Sequence, residues 1–421
     1  MGMPRRFVSL LVVLAVCAGG ALTASTSAPV VLYSHEAERT SYLANAVIWR
    51  DPGPLSPEQI RVGPEVALPA AIADAAGRPI ECRFEHRGLE LGGKTPKFSC
   101  RTADGESLRL KYYDGAGHGN REVFAEVAAT RLMWALGFDT DPVFPVIVEC
   151  QDCPANPWTG EGPRQARRFD AEYEPHYVGT VITSTKDPDQ GWAFGELEKA
   201  IDSLPSGALR MRQRMHFDAL TLLAVFIQHG DRKRSQQRLV CRGELDFQAG
   251  DLRDLPGEGH DGAGISVLFE HPSVRACLGD TVVTLQDVGA TFGGAGQFTG
   301  RTSAKIHLKS WASKDVFEAQ SHASRGGSSE CRGNISVSGS AGSDAGENPW
   351  ISEAGRRFLS TQFERLTPDD VRAIFETARV ERLGEVHQWQ DSLKRTYTGV
   401  DAWVAVFMDK VRQIEQRHCG T

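Results

Sequence analysis

The period of the apolar pattern changes along this chain, and that change constrains the fold more than any other feature. From Ile80 to Tyr113 three short segments, "IECRFEHRG", "KFSCRT" and "SLRLKYY", alternate apolar and polar residues and are parted by the turns "LELGGK" and "ADGE". Period-two segments joined by glycine-rich turns predict a three-stranded antiparallel meander. One helical pattern follows, "REVFAEVAATRLMWALGF", entered at Asn120, stopped at Gly137, and with Val123, Val127, Thr130 or Arg131, and Trp134 on one face. The strand pattern "PVFPVIVEC" comes next, so this part reads as a small α+β lobe. From about Gly195 long helical patterns take over, the first carrying Met211, Met215, Leu222, Leu223 and Phe226 at core spacing. "QQRLVC" and "TVVTLQDVGATFGG" interrupt them as strands, and "TPDDVRAIFETARV" and "DAWVAVFMDKVRQIEQ" are among the closing helices.

Arg5 and Arg6 precede the apolar run "FVSLLVVLAVCAGGALTA", which predicts a signal peptide over 1–24 and an exported protein, periplasmic or extracellular, with no stable membrane span after cleavage. Residues 25–79 read as an irregular extension that wraps the domain. Removal of Cys17 with the signal leaves eight cysteines, an even number that suits disulfides in an exported chain. Spacing does not fix their connectivity. Cys82 with Cys100, which flank a hairpin, and Cys277 with Cys331 are the expected pairs, while "CQDC" (Cys150 to Cys153) reads as a structural bridge or as two cysteines with partners elsewhere. A formal charge of -7 argues against a nucleic-acid partner. His86, His118, His176 and His216 lack metal-ligand spacing and read as structural or surface residues.

The residues that carry chemistry fall in an order that suits phosphoryl transfer. That reaction needs a cation on the phosphates, carboxylates for a metal ion, and an acid oxygen to orient the acceptor hydroxyl. Lys111 ends the third strand. Glu126, or Glu122 one turn earlier, could pair with it from the helix. Asp231 follows the long helix in "HGDRKRSQQ", Gln236 lies five residues on, and Asp287 follows a buried strand. A solvated turn, in which three cations merely hold a surface carboxylate ionised, is the plain alternative for Asp231.

In this order the motifs resemble the protein-kinase-like fold in its atypical branches. "AEVAATRLMWALGFDTDPVFP" is similar to the regulatory helix of secretory-pathway kinases related to the Golgi casein kinase; "HGDRKRSQQ" resembles the catalytic loop they share with type II phosphatidylinositol 4-kinases. "LQDVGATFGG" resembles their metal-binding aspartate turn, and "LGGKTPKFSC" the glycine loop of HipA-type kinases. The resemblance runs from about Ile80 to Phe298. It implies an α+β, two-lobed protein-kinase-like fold, with a small antiparallel-sheet N-lobe holding one helix and a mainly helical C-lobe. The N-lobe and hinge would span 80–195 and the C-lobe 196–421, with insertions at 243–280 and 321–348. It further implies ATP with Mg or Mn as cofactors and a protein or small hydroxyl compound as acceptor. Lys111 would be the nucleotide lysine, Glu126 its partner, Asp231 the catalytic aspartate, Asp287 the metal ligand, and Gly92 and Gly93 the phosphate loop. Gln236 stands where those families carry Asn or Glu, so it would offer the metal a longer neutral amide. His229 and Gly230 replace the usual His-Arg pair, which removes an arginine that could meet an activation-loop phosphate. A binding module that has lost catalysis, and a disulfide-stabilised envelope protein without a nucleotide site, are the alternatives.

Overall fold

The computed structural model describes residues 30–33, 36–66, 68–75, 77–85, 95–113, 121–175, 180–184, 191–242, 245–247, 274–277, 279–293, 306–319, 331–335, 348–384 and 386–420. The expected signal peptide, Gly92, Gly93 and most of the two expected insertions lie outside them. The chain is an α+β protein. Its elements run β1 (Val30–Tyr33), α1 (Glu36–Asn45), α2 (Pro57–Val62), α3 (Ala70–Ala73), β2 (Ile80–Glu85), β3 (Lys97–Thr102), β4 (Ser107–Tyr113), α4 (Glu122–Ala135), β5 (Asp139–Thr140), β6 (Phe144–Cys153), β7 (Gln165–Tyr173) and β8 (Thr180–Ser184). They continue with α5 (Phe194–Asp202), α6 (Ala208–Phe226), β9 (Gln237–Arg242), β10 (Leu245–Phe247), β11 (Val274–Cys277), β12 (Asp280–Leu285), α7 (Leu308–Ala312), α8 (Glu353–Phe363), α9 (Pro368–Thr377), β13 (Gln388–Gln390), β14 (Thr396–Thr398) and α10 (Val400–Gln416).

The expected meander β2-β3-β4 is present, but as part of a larger object. Strands β7 and β6 continue it, and β6 pairs in parallel with β2 to close a five-stranded barrel. Alternation then sorts each strand's side chains. On β4, Leu108, Leu110 and Tyr112 fill the barrel with Phe98 and Phe169, while Lys111 and Tyr113 face outward. That outer face is covered by α4, whose Phe124 packs edge-on against Tyr113. The reading of α4 as a one-faced helix needs correction: every residue except Trp134 is buried, because the barrel and the helical part sandwich it. Its N-cap is Arg121, one residue past Asn120, and Gly137 at φ +85 ends it as expected.

A second sheet, in the order β1-β8-β9-β12-β5, joins the barrel to the helices. The core of the helical part is aromatic: Phe226, Phe363, Phe375, Phe407, Trp311 and Trp403 pack together from α6, α7, α8, α9 and α10. Only the C-terminal half of α6 belongs to it. Met211, expected in the core, is exposed, because the first turns of α6 project past the packed elements. Residues 25–79 also differ from expectation. Their described residues carry three short helices, and Arg39 on α1 makes a part-buried ion pair of 2.6 Å with Glu196 on α5 while Val47 bridges to Val282 on β12. The segment thus contacts both α5 and β12.

Cys82 pairs with Cys100 and Cys150 with Cys153. Cys331 does not pair with Cys277: it bonds Cys419, with 5.2 Å between the Cα atoms. Beyond α10 the chain turns extended at Arg417, and Cys419 is held by a hydrogen bond from its N–H to Glu353 at the start of α8. That contact brings the C-terminus to the segment 331–335. The bridge spans 88 positions, so its loss should release a large loop in the unfolded state. Cys419→Ser is expected to cost about 2–5 kcal/mol, read as a lower urea midpoint. An unchanged midpoint would remove this bridge as a source of stability. Among the described residues no helix is long and apolar enough to cross a membrane.

Candidate functional site

Lys111 lies where the barrel, α4 and the second sheet meet. Its Nζ is 2.6 Å from Glu126, 3.5 Å from Glu172, 3.8 Å from Glu174 and 3.9 Å from Asp287. Each partner has its own geometric cause. Glu126 sits on the face of α4 that covers β4. Glu172 is directly opposite Lys111 in the β4-β7 register, and Lys97 is opposite it in the β3-β4 register. Asp287 arrives from the end of β12 with φ +49, an uncommon conformation for a residue other than glycine. Burial works against the Lys111 ammonium, but Glu126, Glu172, Glu174 and Asp287 outweigh it and hold its pKa well above the ordinary lysine value.

One ammonium among so many acids leaves excess negative charge. Burial and the charge of Asp287 push Glu122 up to about 8, and burial raises Glu172 to about 7. Asp287 goes the other way. Burial alone would raise it, yet Lys111, a hydrogen bond from Glu122 and one from Gln236 keep it below the usual carboxylate range. Protonated Glu122 thus donates to ionised Asp287 and accepts from Thr95 Oγ1. Gly289 makes this approach possible, since a Cβ there would stand 2.0 Å from Glu122 Cγ. Glu122, Glu126 and Asp287 each present a carboxylate oxygen, and the three lie within 4.8 Å of one another. Hard oxygen donors carrying surplus charge fit a divalent cation such as Mg or Mn.

The turn at Asp231 is no solvated loop. His229, Arg232, Gln236 and Gln237 are buried, and the Asp231 side chain is 17% exposed. Two of its three bases anchor the turn: the Arg232 guanidinium lies 5.1 Å over the Phe194 ring, and Arg234 pairs with Glu196 at 3.2 Å. Lys233 alone turns to Asp231, at 3.0 Å. Gln236 Nε2 then donates to Asp231 at 3.1 Å and to Asp287 at 2.5 Å. Gln286 N–H donates to the Gln236 carbonyl, and Phe292 N–H to that of Ile227, so the Asp231 and Asp287 segments are tied through the backbone as well. Burial lowers the His229 pKa to about 4 and keeps its ring neutral.

Lys111, Glu126, Asp231, Gln236 and Asp287 are therefore brought together, and Gly92 and Gly93 are outside the described residues. Sequence reasoning missed Glu172 and Lys97, and the cleft beside them. That cleft, of about 410 Å³, is lined by Lys97, Arg109, Lys111 and Glu172 of the barrel, by Arg238 on β9 and by Gln286 just past β12. The acid at every second position of "FDAEYEP" was the available signal for Glu172.

No family model matches the chain, and no curated protein matches it in sequence. Among solved structures, a proinflammatory kinase of Helicobacter pylori, CtkA, aligns with a TM-score of 0.37 and 8% identity over 80% of this chain and 95% of that one. Likeness that remote carries no argument, and the site has to be judged on its own geometry.

Proposed function

We propose that this chain is a two-lobed, kinase-like phosphotransferase that moves the terminal phosphoryl group of ATP to a hydroxyl acceptor, a protein or a smaller compound. The observation that carries the reading is the connected network in which the Lys111–Glu126 pair stands beside Asp287, and Gln236 links Asp287 to Asp231. Nucleotide would lie in the cleft between barrel and second sheet, with Lys111 on its phosphates. Glu122, Glu126 and Asp287 would hold the metal ion, which supplies charge neutralisation on the transferring group. Asp231 would orient the acceptor hydroxyl and accept its proton as the new oxygen–phosphorus bond forms and the bond to ADP breaks. Lys233, hydrogen-bonded to Asp231, would steady the carboxylate and meet the incoming phosphate charge. An exported location agrees with the Cys82–Cys100, Cys150–Cys153 and Cys331–Cys419 disulfides.

One observation favours a second reading, a binding module without efficient catalysis. The Gln236 amide donates to both carboxylates, so metal binding would require it to turn its oxygen inward. Transfer of label from γ-labelled ATP, with α-labelled ATP as the control for adenylyl transfer, separates the readings. Metal-dependent γ-label transfer is the expected result. Nucleotide binding without transfer would support the binding module, and absence of both would sink the nucleotide site.

Metal affinity should also depend on pH. Glu122, near 8, and Glu172, near 7, are largely protonated below neutrality, and a cation must displace the Glu122 proton to use that oxygen. Mn binding followed by titration calorimetry is expected to strengthen from pH 6 to pH 8, by up to about tenfold per pH unit for each proton released. A flat profile, or one that Glu122→Gln leaves unaltered, would exclude Glu122 as a ligand.

A further inference from the structure

Behind α4, on the side away from Lys111, lies a groove of about 820 Å³ between the N-terminal segment, the barrel strand β6 and the end of α9. Its walls are apolar at Leu68, Ile72 and Phe144, yet Arg61, Arg78, Arg131, Arg379 and Arg382 also line it, against one acid, Glu65. Most of these arginines are spoken for. Arg61 pairs with Glu376, while Arg379 and Arg382 share Asp170. Arg131 is different. It is 1% exposed, its Nη2 donates to the Val62 carbonyl at 3.3 Å, and its Nε and Nη1 have no hydrogen-bond partner among the described residues. Among the described residues its one charge-related contact is the Phe144 ring, 5.0 Å from the guanidinium carbon. Burial without a carboxylate lowers its pKa to about 10, which still leaves it cationic at neutral pH.

A buried cation is normally paired, because an unmatched charge away from water is costly. Here the Gly63 backbone is pressed against the guanidinium: a Cβ on Gly63, at φ +91, would fall 2.3 Å from its central carbon. The chain therefore keeps a glycine so that α2 and its following turn can close over an unneutralised arginine. Nearby, Arg379 Nε is a further buried donor without a partner among the described residues, and the Arg78 guanidinium donates to the carbonyls of Ala75 and Asp74. Buried unpartnered donors of Arg131 and Arg379, with the exposed Arg78, in the walls of an apolar groove of ligand size suit a molecule with an anionic end and an apolar body.

We propose that this groove binds an amphiphilic anion, its phosphate or carboxylate head taken by Arg131 and Arg78 and its aliphatic body lying along Leu68, Ile72 and Phe144. The proposal is independent of the phosphotransfer reading, since none of these residues belongs to the Lys111 network. Binding of dodecyl phosphate, dodecanoate, dodecanol and inorganic phosphate to the oxidised full chain, each amphiphile below its micelle concentration, tests it by calorimetry. Saturable binding of at least one anionic amphiphile, about tenfold or more tighter than dodecanol and inorganic phosphate, is expected. The preferred head, phosphate or carboxylate, identifies the source. Arg131→Gln should reduce that affinity by about tenfold or more and leave dodecanol binding unchanged. Because Arg131 is buried, Arg78→Gln on the surface serves as the second variant, with the same direction expected. Equal binding of all four probes, no binding of either anionic amphiphile, or full affinity in both variants would overturn the proposal.

Discussion

Asp287→Ala is expected to abolish the rise in melting temperature produced by ATP with Mg, whereas Asp231→Ala keeps that rise and loses transfer. The two carboxylates share Gln236 as a hydrogen-bond partner but differ in what surrounds them. Asp287 stands 3.9 Å from Lys111 and within metal-ligand reach of Glu122 and Glu126, so its removal takes away both a ligand and the order of the cluster. Asp231 contacts Lys233 and Gln236 and is not one of the three clustered acids, meeting Asp287 through the Gln236 amide. A ligand at a hundred times its dissociation constant adds about 2.7 kcal/mol of stability, a shift of several degrees that Asp287→Ala should erase. Loss of a positioned base lowers turnover by about 10²–10⁴-fold, which is the loss expected of Asp231→Ala. Melting without ligand controls for damage to the fold. If Asp287→Ala retained the full shift, nucleotide would be bound elsewhere, and if both variants retained turnover the assignment would fail.

The parts of this site that were legible in the sequence are those made by local pattern. Lys111 at the end of an alternating segment, Glu126 on a helical run and Asp287 after a buried strand are each fixed by periods of two or 3.6 residues and by a glycine turn. What was hidden depends on long-range register. Glu172 looks like an outward residue of a surface strand, because nothing local says that β7 closes a barrel beside β4 or that its outer face meets α4. The same applies to Cys331, whose partner Cys419 is close only once α10 has packed. Arg232 and Arg234 mislead in the opposite sense. Three adjacent bases suggest water, yet two of them are held by Phe194 and Glu196 on α5, an element whose position relative to the turn is set by the whole helical part. Charge patterns report composition along the chain, and which charges are buried is decided by topology.

Lys111→Met tests whether the acid cluster is held together by this one cation. Glu126, Glu172, Glu174 and Asp287 would lose the ammonium that all four face, and removal of one partner from a buried pair costs about 3–5 kcal/mol. The pH dependence follows from the sign of the shifts. Glu122 and Glu172 already have folded-state pKa values raised above their unfolded ones. Such groups contribute stability that is present below the unfolded pKa and is lost as pH rises through the folded one. Without Lys111 the carboxylates near it repel more strongly, so the gap in urea midpoint between variant and parent should be small near pH 5 and widen toward pH 8. Glu174→Gln in the Lys111→Met background removes one of the repelling charges and should recover part of the loss at pH 8, while Glu174→Gln alone leaves Lys111 three carboxylates and should cost less. Transfer should be absent from every variant lacking Lys111, including the one whose stability is recovered. A gap that did not change with pH would refute the electrostatic account, and transfer by the recovered double variant would show that Lys111 serves the fold and leaves the phosphates to another cation.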